Sequence, residues 1–346
     1  MRRLLILIAL VAGLLLPAAG AIGSSPLQPD PAGVGIRLVD APVATRDDPR
    51  ARVYIIDHVH PGTTIERRIE VSNDTGKASA IAVYAAAAEI KAGSFVGLEG
   101  DTPNELSTWT TLSDTSLRLR DGATSMVEVT IDVPSDAPPG EQYAVLWAQV
   151  SSGDEGGGGI TQVSRVGIRV YLSVGPGGAP ASAFEIESFT AMRDATGSPV
   201  VQATVRNTGG RALDLHGELK LADGPAGLTA GPFPARLGTT LAVGDVEPVT
   251  IELDGQLPNG PWDARLSLTS GLLTEKAHAS LTFPTSGTGP TVAVADDSRP
   301  WWWIGGAIAA LVLLVLAWLA SRRRRRRSTV STSRHEPGLE QEPSYV

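Results

Sequence analysis

Residues 117–134, LRLRDGATSMVEVTIDVP, decide the fold. Leu117 and Leu119 alternate with Arg118 and Arg120, and after a turn at Asp121-Gly122, Val127, Val129, Ile131 and Val133 alternate with Glu128, Thr130 and Asp132. Successive side chains of a strand point to opposite faces, so this period of two describes strands with one buried and one wet face. Pro134 lacks an N–H to give to a ladder and ends the second run.

The same pattern extends in both directions. Upstream, Ile65, Ile69 and Val71 share one face and Glu66, Arg68 and Glu70 the other, with Arg67 interrupting the apolar face; a turn follows at residues 72–76. Residues 78–90 are alanine-rich, but Ile81, Val83 and Tyr84 favour strand over helix. Downstream, residues 143–150 (YAVLWAQV) are apolar on both faces and predict a central strand, while Val166, Ile168, Val170 and Leu172 line one face of the next. A linker at 175–183 separates this series from a second: Phe184 and Ile186; Val201, Ala203 and Val205 before Asn207-Thr208-Gly209-Gly210; Leu213 to Leu221; Val249 to Leu253; Trp262 to Leu268; Ala277 to Phe283. The prediction is an all-β chain of two tandem immunoglobulin-like β-sandwich domains, 34–174 and 184–283, plus one C-terminal transmembrane α-helix. Residues 22–33 read as a flexible lead-in and 284–300 as a stalk.

The two ends predict topology. Residues 301–320 form an uncharged run of 20, about 30 Å as a helix and enough to span a bilayer core. Trp301, Trp302, Trp303 and Trp318 suit interfacial aromatic belts, and Arg322, Arg323 and Arg324 begin a six-Arg block that the positive-inside rule assigns to the cytoplasm. At the other end Arg2 and Arg3, an apolar run to Leu16, and the small residues Ala19 and Ala21 describe a cleaved signal peptide, 1–21. A single-pass cell-membrane protein follows, its amino-terminal domains outside and its tail, 321–346, inside. Two Arg in the signal and seven Arg against three Glu in the tail leave residues 22–300 at a net −14. That acidity argues against nucleic acid as a partner.

The chain has no cysteine, which removes thiol catalysis and thiolate metal sites. No Gly-x-Ser-x-Gly elbow or Ser-x-x-Lys motif appears. His58 and His60 share a strand face, yet no third metal ligand accompanies them. Asp47-Asp48 and Asp101 lack the spacing of a calcium loop. The glycine-rich stretch Gly153 to Gly159 carries Asp154 and Glu155 and lacks the Lys-Ser/Thr ending of a phosphate loop, so it reads as a hairpin tip. Trp109 and Trp147 fall within strand patterns and are expected in the core. No catalytic residue, cofactor or metal is expected, and the chain reads as non-enzymatic.

Three pieces, PGTTIERRIEVSNDTGKASAIAVYAAAAE, LSTWTTL and LRLRDGATSMVEVTIDVPSDAPPGEQYAVLWAQV, together resemble the peptidoglycan-binding domain of WxL-interacting proteins, which are bacterial cell-surface proteins. VRNTGGRALDLHGELKL and LPNGPWDARLSL are similar, more faintly, to the host-binding domain that follows in that family. The resemblance implies a first domain that contacts peptidoglycan or another wall glycan and a second that contacts a surface protein bearing Trp-x-Leu motifs. The chain itself contains no Trp-x-Leu, so it would be the partner of such a protein. The leading expectation is a membrane-anchored cell-envelope binding or adhesion protein; the alternatives are an accessory scaffold subunit of a secretion or adhesion complex and, from a different class, a surface hydrolase.

Overall fold

The computed structural model describes residues 33–152, 162–236, 238–295 and 309–318. The chain divides between Ala181 and Ser182 into two compact units. In the first unit ten strands follow in order: β1 (Gly33–Leu38), β2 (Ile55–Val59), β3 (Thr64–Asp74), β4 (Ser79–Lys91), β5 (Ser94–Gly97), β6 (Thr110–Leu112), β7 (Ser116–Leu119), β8 (Thr124–Asp132), β9 (Gly140–Ser152) and β10 (Gln162–Val174). One short helix, α1 (Glu105–Trp109), precedes β6.

These strands form two sheets, ordered β1-β3-β8-β6 and β2-β10-β9-β4-β5, with β7 also pairing β4. The turn at Asp121-Gly122 therefore carries the chain from one sheet to the other, since Leu117 pairs with Ile81 while Val127 pairs with Ile69. The apolar faces meet as the periodicity requires: Ile69, Val71, Val127, Val129 and Ile131 pack against Ile81, Val83, Leu146, Val170 and Leu172, all fully buried. Arg67, the break in that pattern, does lie on the core side. Its guanidinium donates to both carboxylate oxygens of Asp57 on β2 at 2.7 Å, stitching one sheet to the other. The alanine-rich segment is β4, held between β9 and β7 or β5, where small side chains let the faces close. Trp109 does not belong to a strand: Asn104 and Ser107 make a reciprocal capping box that starts α1, and Trp109 ends it, packed against the core.

The second unit holds β11 (Phe184–Arg193), β12 (Pro199–Asn207), β13 (Leu213–Ala222), β14 (Ala230–Pro234), β15 (Thr239–Leu241), β16 (Val246–Glu252), β17 (Trp262–Ser270), β18 (Leu273–Leu281) and β19 (Gly287–Ala293). Its sheets run β16-β12-β11-β19 and β14-β13-β17-β18, with β15 on β13. The core is more aromatic than that of the first unit, with Phe184, Phe189, Trp262 and Phe283 all 3% exposed or less. The Trp262 indole N–H donates to the Pro258 carbonyl at 2.9 Å. Gly224 lies under its ring, where an added Cβ would come within 2.1 Å. Part of the stretch expected as a stalk is therefore a strand, because β19 pairs antiparallel with β11.

The expected membrane span is corrected. Among the described residues no helix is long and apolar enough to cross a membrane. The described residues are thus all-β with immunoglobulin-like sandwiches, and the expected spanning helix is not among them.

Candidate functional site: an open strand edge

β10 pairs along its whole length with β9, from Gln162 opposite Ser152 to Val174 opposite Gly140. On its other side β2 runs parallel to it, but only over Val170 to Val174. The reason lies in the chain before β2. Pro42 and Pro49 bracket two 3-10 turns, Val43–Thr45 and Pro49–Arg52, and the Asp48 carboxylate caps the second by accepting the Arg50 N–H at 2.8 Å. Proline offers no N–H and 3-10 geometry cannot join a ladder, so this segment leaves the sheet and enters it again only at Ile55. Among the described residues, no strand pairs with Val163 to Ile168 on the side away from β9.

That open edge has six residues, about 20 Å at 3.3 Å each. Ser164, Val166 and Ile168 point toward the core, while Val163, Arg165 and Gly167 point outward, in register with Ser151, Gln149 and Trp147 of β9. Val163 is 52% exposed and Val166, on the core side, is 36% exposed. Among the described residues the sandwich is therefore unsealed here. A cavity of about 400 Å³ adjoins the start of the edge, lined by Gly33, Ala80, Val150 and Ser164 among others.

Trp147 is on the outer face, not in the core where its strand pattern put it. The indole lies flat over Gly167 and Gly97, where added Cβ atoms would come within 2.7 and 2.6 Å of its ring. Arg165 covers it, the guanidinium 4.4 Å from the ring centroid. Farther along the same face Tyr171, 1% exposed, is ringed by Tyr54, Phe95 and Tyr143 at 5.2–5.9 Å. Arg169 stands over Tyr54 and Phe95, and Arg50 over Tyr171. This second apolar layer explains why β9 is apolar on both faces. Sequence periodicity signals such a layer but not what covers it.

The other predicted residues do not assemble a site. His58 Nδ1 is 3.2 Å from Ser173 Oγ and Nε2 is 3.2 Å from the Gly177 carbonyl; the His60 ring is 6.4 Å away. Among the described residues no group of three His, Asp or Glu could hold a metal ion. Asp48 is a helix cap, not a calcium ligand. Trp318 lies in the 309–318 helix, 53% exposed. Ala19, Ala21, Trp301, Trp302, Trp303, Arg322, Arg323, Arg324 and the glycine-rich stretch 153–159 lie outside the described residues. A surface cavity of about 600 Å³ is an open trough on the second unit lined by Glu218, Lys220, Asp263, Arg265, Lys276 and His278. There Lys220 pairs with Glu218 and Arg265 with Asp263.

No family model matches the sequence, and no curated protein is similar to it. The structure is similar to solved chaperones. One is SafB of Salmonella enterica, in a complex with the SafA pilin, at a TM-score of 0.39 and 12% identity, covering 72% of this chain and 96% of that one. Another is the Escherichia coli chaperone DraB, at 0.35 and 11%, covering 66% and 96%. A third is the Pseudomonas aeruginosa CupB2 chaperone, at 0.34 and 12%, covering 65% and 97%. The resemblance to WxL-interacting proteins is corrected, since no family model matches the sequence. With it go peptidoglycan and Trp-x-Leu partners and the wall-binding adhesin. The absence of a spanning helix among the described residues removes the bilayer partner and the single-pass localisation.

Proposed function

We propose that this chain is an accessory scaffold subunit that binds another protein by taking an extended segment of it onto the open edge of β10. A row of unpaired N–H and C=O groups is a template for strand addition, and the main chain supplies affinity while alternate side chains supply selectivity. The observation that carries the reading is the stretch from Val163 to Ile168, which among the described residues has a strand on one side only. Exposed apolar side chains at Val163 and Val166 flank it. A strand added here would continue the line of β2 and stop where Ile55 begins.

The test places a photo-crosslinking amino acid at position 166 of the full chain in its native cells, with the same residue at position 274 as a control. The expected result is one protein adduct at 166 in stoichiometric yield and none at 274. Absence of a protein adduct at 166 overturns the reading.

A further inference from the structure

We infer that the β10 edge selects for an extended partner segment about six residues long, apolar at inward positions and carrying a carboxylate at the outward position beside Arg165. This rests on the strand-addition reading and adds the chemistry of the partner. One end is set by β2, which occupies the same side from Val170 onward, and the length is that of the described edge, Val163 to Ile168. The alternation follows from β10 itself. A strand laid against it places its side chains alternately beside Ser164, Val166 and Ile168 on the core side and beside Val163, Arg165 and Gly167 on the outer face.

Arg165 supplies the charge preference. Among the described residues it has no carboxylate within ion-pairing distance, and its guanidinium rests on the Trp147 ring. Stacking there holds the fork on the outer face, one position from Gly167, which has no side chain to screen it. A carboxylate on an added strand would therefore meet a preplaced, unpaired guanidinium, the geometry that favours a charge-assisted pair. On the core side Val166 is 36% exposed, so an apolar side chain beside it covers surface that is now wet.

A second copy of the chain fits this edge less well. Antiparallel pairing of two β10 edges centred at Val166 would set each Arg165 opposite the other copy's Gly167, and centring at Arg165 would set the two guanidinium groups directly opposite. Only the second register sets like charges opposite, where they repel, and the first leaves each Arg165 facing a glycine with no anionic partner. Charge complementarity to Arg165 therefore favours a different chain with acidic character in the docking segment.

The experiment uses the full chain and two fluorescent, end-capped hexapeptides that alternate valine and threonine, one with its central outward threonine replaced by glutamate and one by lysine. Binding is read by anisotropy at low salt. The glutamate peptide should bind about tenfold more tightly than the lysine peptide. Arg165→Glu should reverse that order, and Val166→Lys, an inward-pointing charge at the edge, should abolish binding of both. Thermal melts of both variants check that they remain folded. If both peptides bind equally, Arg165→Glu changes neither and Val166→Lys abolishes both, the charge preference is wrong and strand addition stands. If neither peptide binds the wild-type chain, strand addition at this edge is wrong and the preference falls with it. If sedimentation shows a dimer that Val166→Lys dissociates, the occupant is a second copy and the inference is overturned.

Discussion

The two units begin from the same local device and differ in how they finish their edges. Each buries an asparagine at the end of its second long strand, just before a glycine turn. Asn73 Nδ2 donates to the Lys77 and Leu119 carbonyls while Oδ1 accepts from Thr75. Asn207 Nδ2 contacts the Arg211, Leu241 and Ala242 carbonyls while Oδ1 accepts the Gly209 N–H. Each thereby ties a turn carbonyl to the carbonyl of a neighbouring segment through one buried side chain. At the edges they part. In the second unit Ala235 bridges to Ile251 and the Arg236 N–H bonds to Thr250, covering part of β16; the Ala295 N–H bonds to His278 on β18. β10 of the first unit has no such cover from Val163 to Ile168 among the described residues. Sealed edges suit a domain that must stay monomeric, and an unsealed one suits a domain that receives a strand.

The strongest way to break this comparison is at the cores. Trp262→Ala should cost the second unit about 3–5 kcal/mol, the usual loss for a fully buried tryptophan, and calorimetry should show one of two transitions falling. A single transition that moves as a whole would deny that the units are separately stabilised. Next are the two asparagines. Removing either breaks the hydrogen bonds of a buried amide, so Asn73→Ala and Asn207→Ala should each cost about 1–3 kcal/mol. Each should lower a different transition, and equal effects on the same one would break the parallel.

Gly167→Ala tests the outer face. The new Cβ must displace Trp147, which should cost about 1–3 kcal/mol and shift the tryptophan emission; unchanged emission would show that the indole does not lie over β10. The smallest effect is electrostatic and distinguishes the units by its salt dependence. In the first, donation from the Arg68 guanidinium holds the Asp40 carboxyl below its ordinary 3.8. In the second, the Thr196 hydroxyl and then the Ser198 N–H do the same for Asp194. A carboxylate whose folded pKa is depressed contributes stability that is full above the unfolded value and is lost as pH falls below it. Both contributions should therefore fade below about pH 4. Salt should weaken the first, an exposed ion pair, and leave the second, made with neutral donors, nearly unchanged. Urea melts of Asp40→Asn and Asp194→Asn at two ionic strengths would measure this.

Much of the sandwich was legible because period-two alternation is a direct consequence of strand geometry: Val127 to Ile131 and Ile65 to Val71 lie on the faces their spacing assigns. What alternation cannot encode is the partner of each strand. Nothing in LRLRDGATSMVEVTIDV says that its two halves belong to different sheets. The candidate site was hidden for a related reason. An edge is defined by what is missing beside it, and the vacancy beside Val163 to Ile168 is made by Pro42, Pro49 and Asp48, more than a hundred residues earlier. Trp147 was misplaced because a strand apolar on both faces has two interiors, and periodicity cannot choose between them. The hydropathy of residues 301–320 predicts a span, and among the described residues no helix is long and apolar enough to cross a membrane.

Arg67, first met as a fault in an apolar face, acquires a further role from its bond to Asp57. Both side chains are less than a fifth exposed, where a charge deprived of its partner is costly. Their bond fixes β2 on the last five residues of β10 and so acts as an end-stop. On the strand-addition reading, the length of segment that the edge accepts is thus gauged in part from the opposite sheet, through the Arg67 guanidinium. Moving that anchor by two residues along β3 would lengthen or shorten the measure without altering any residue that a partner touches.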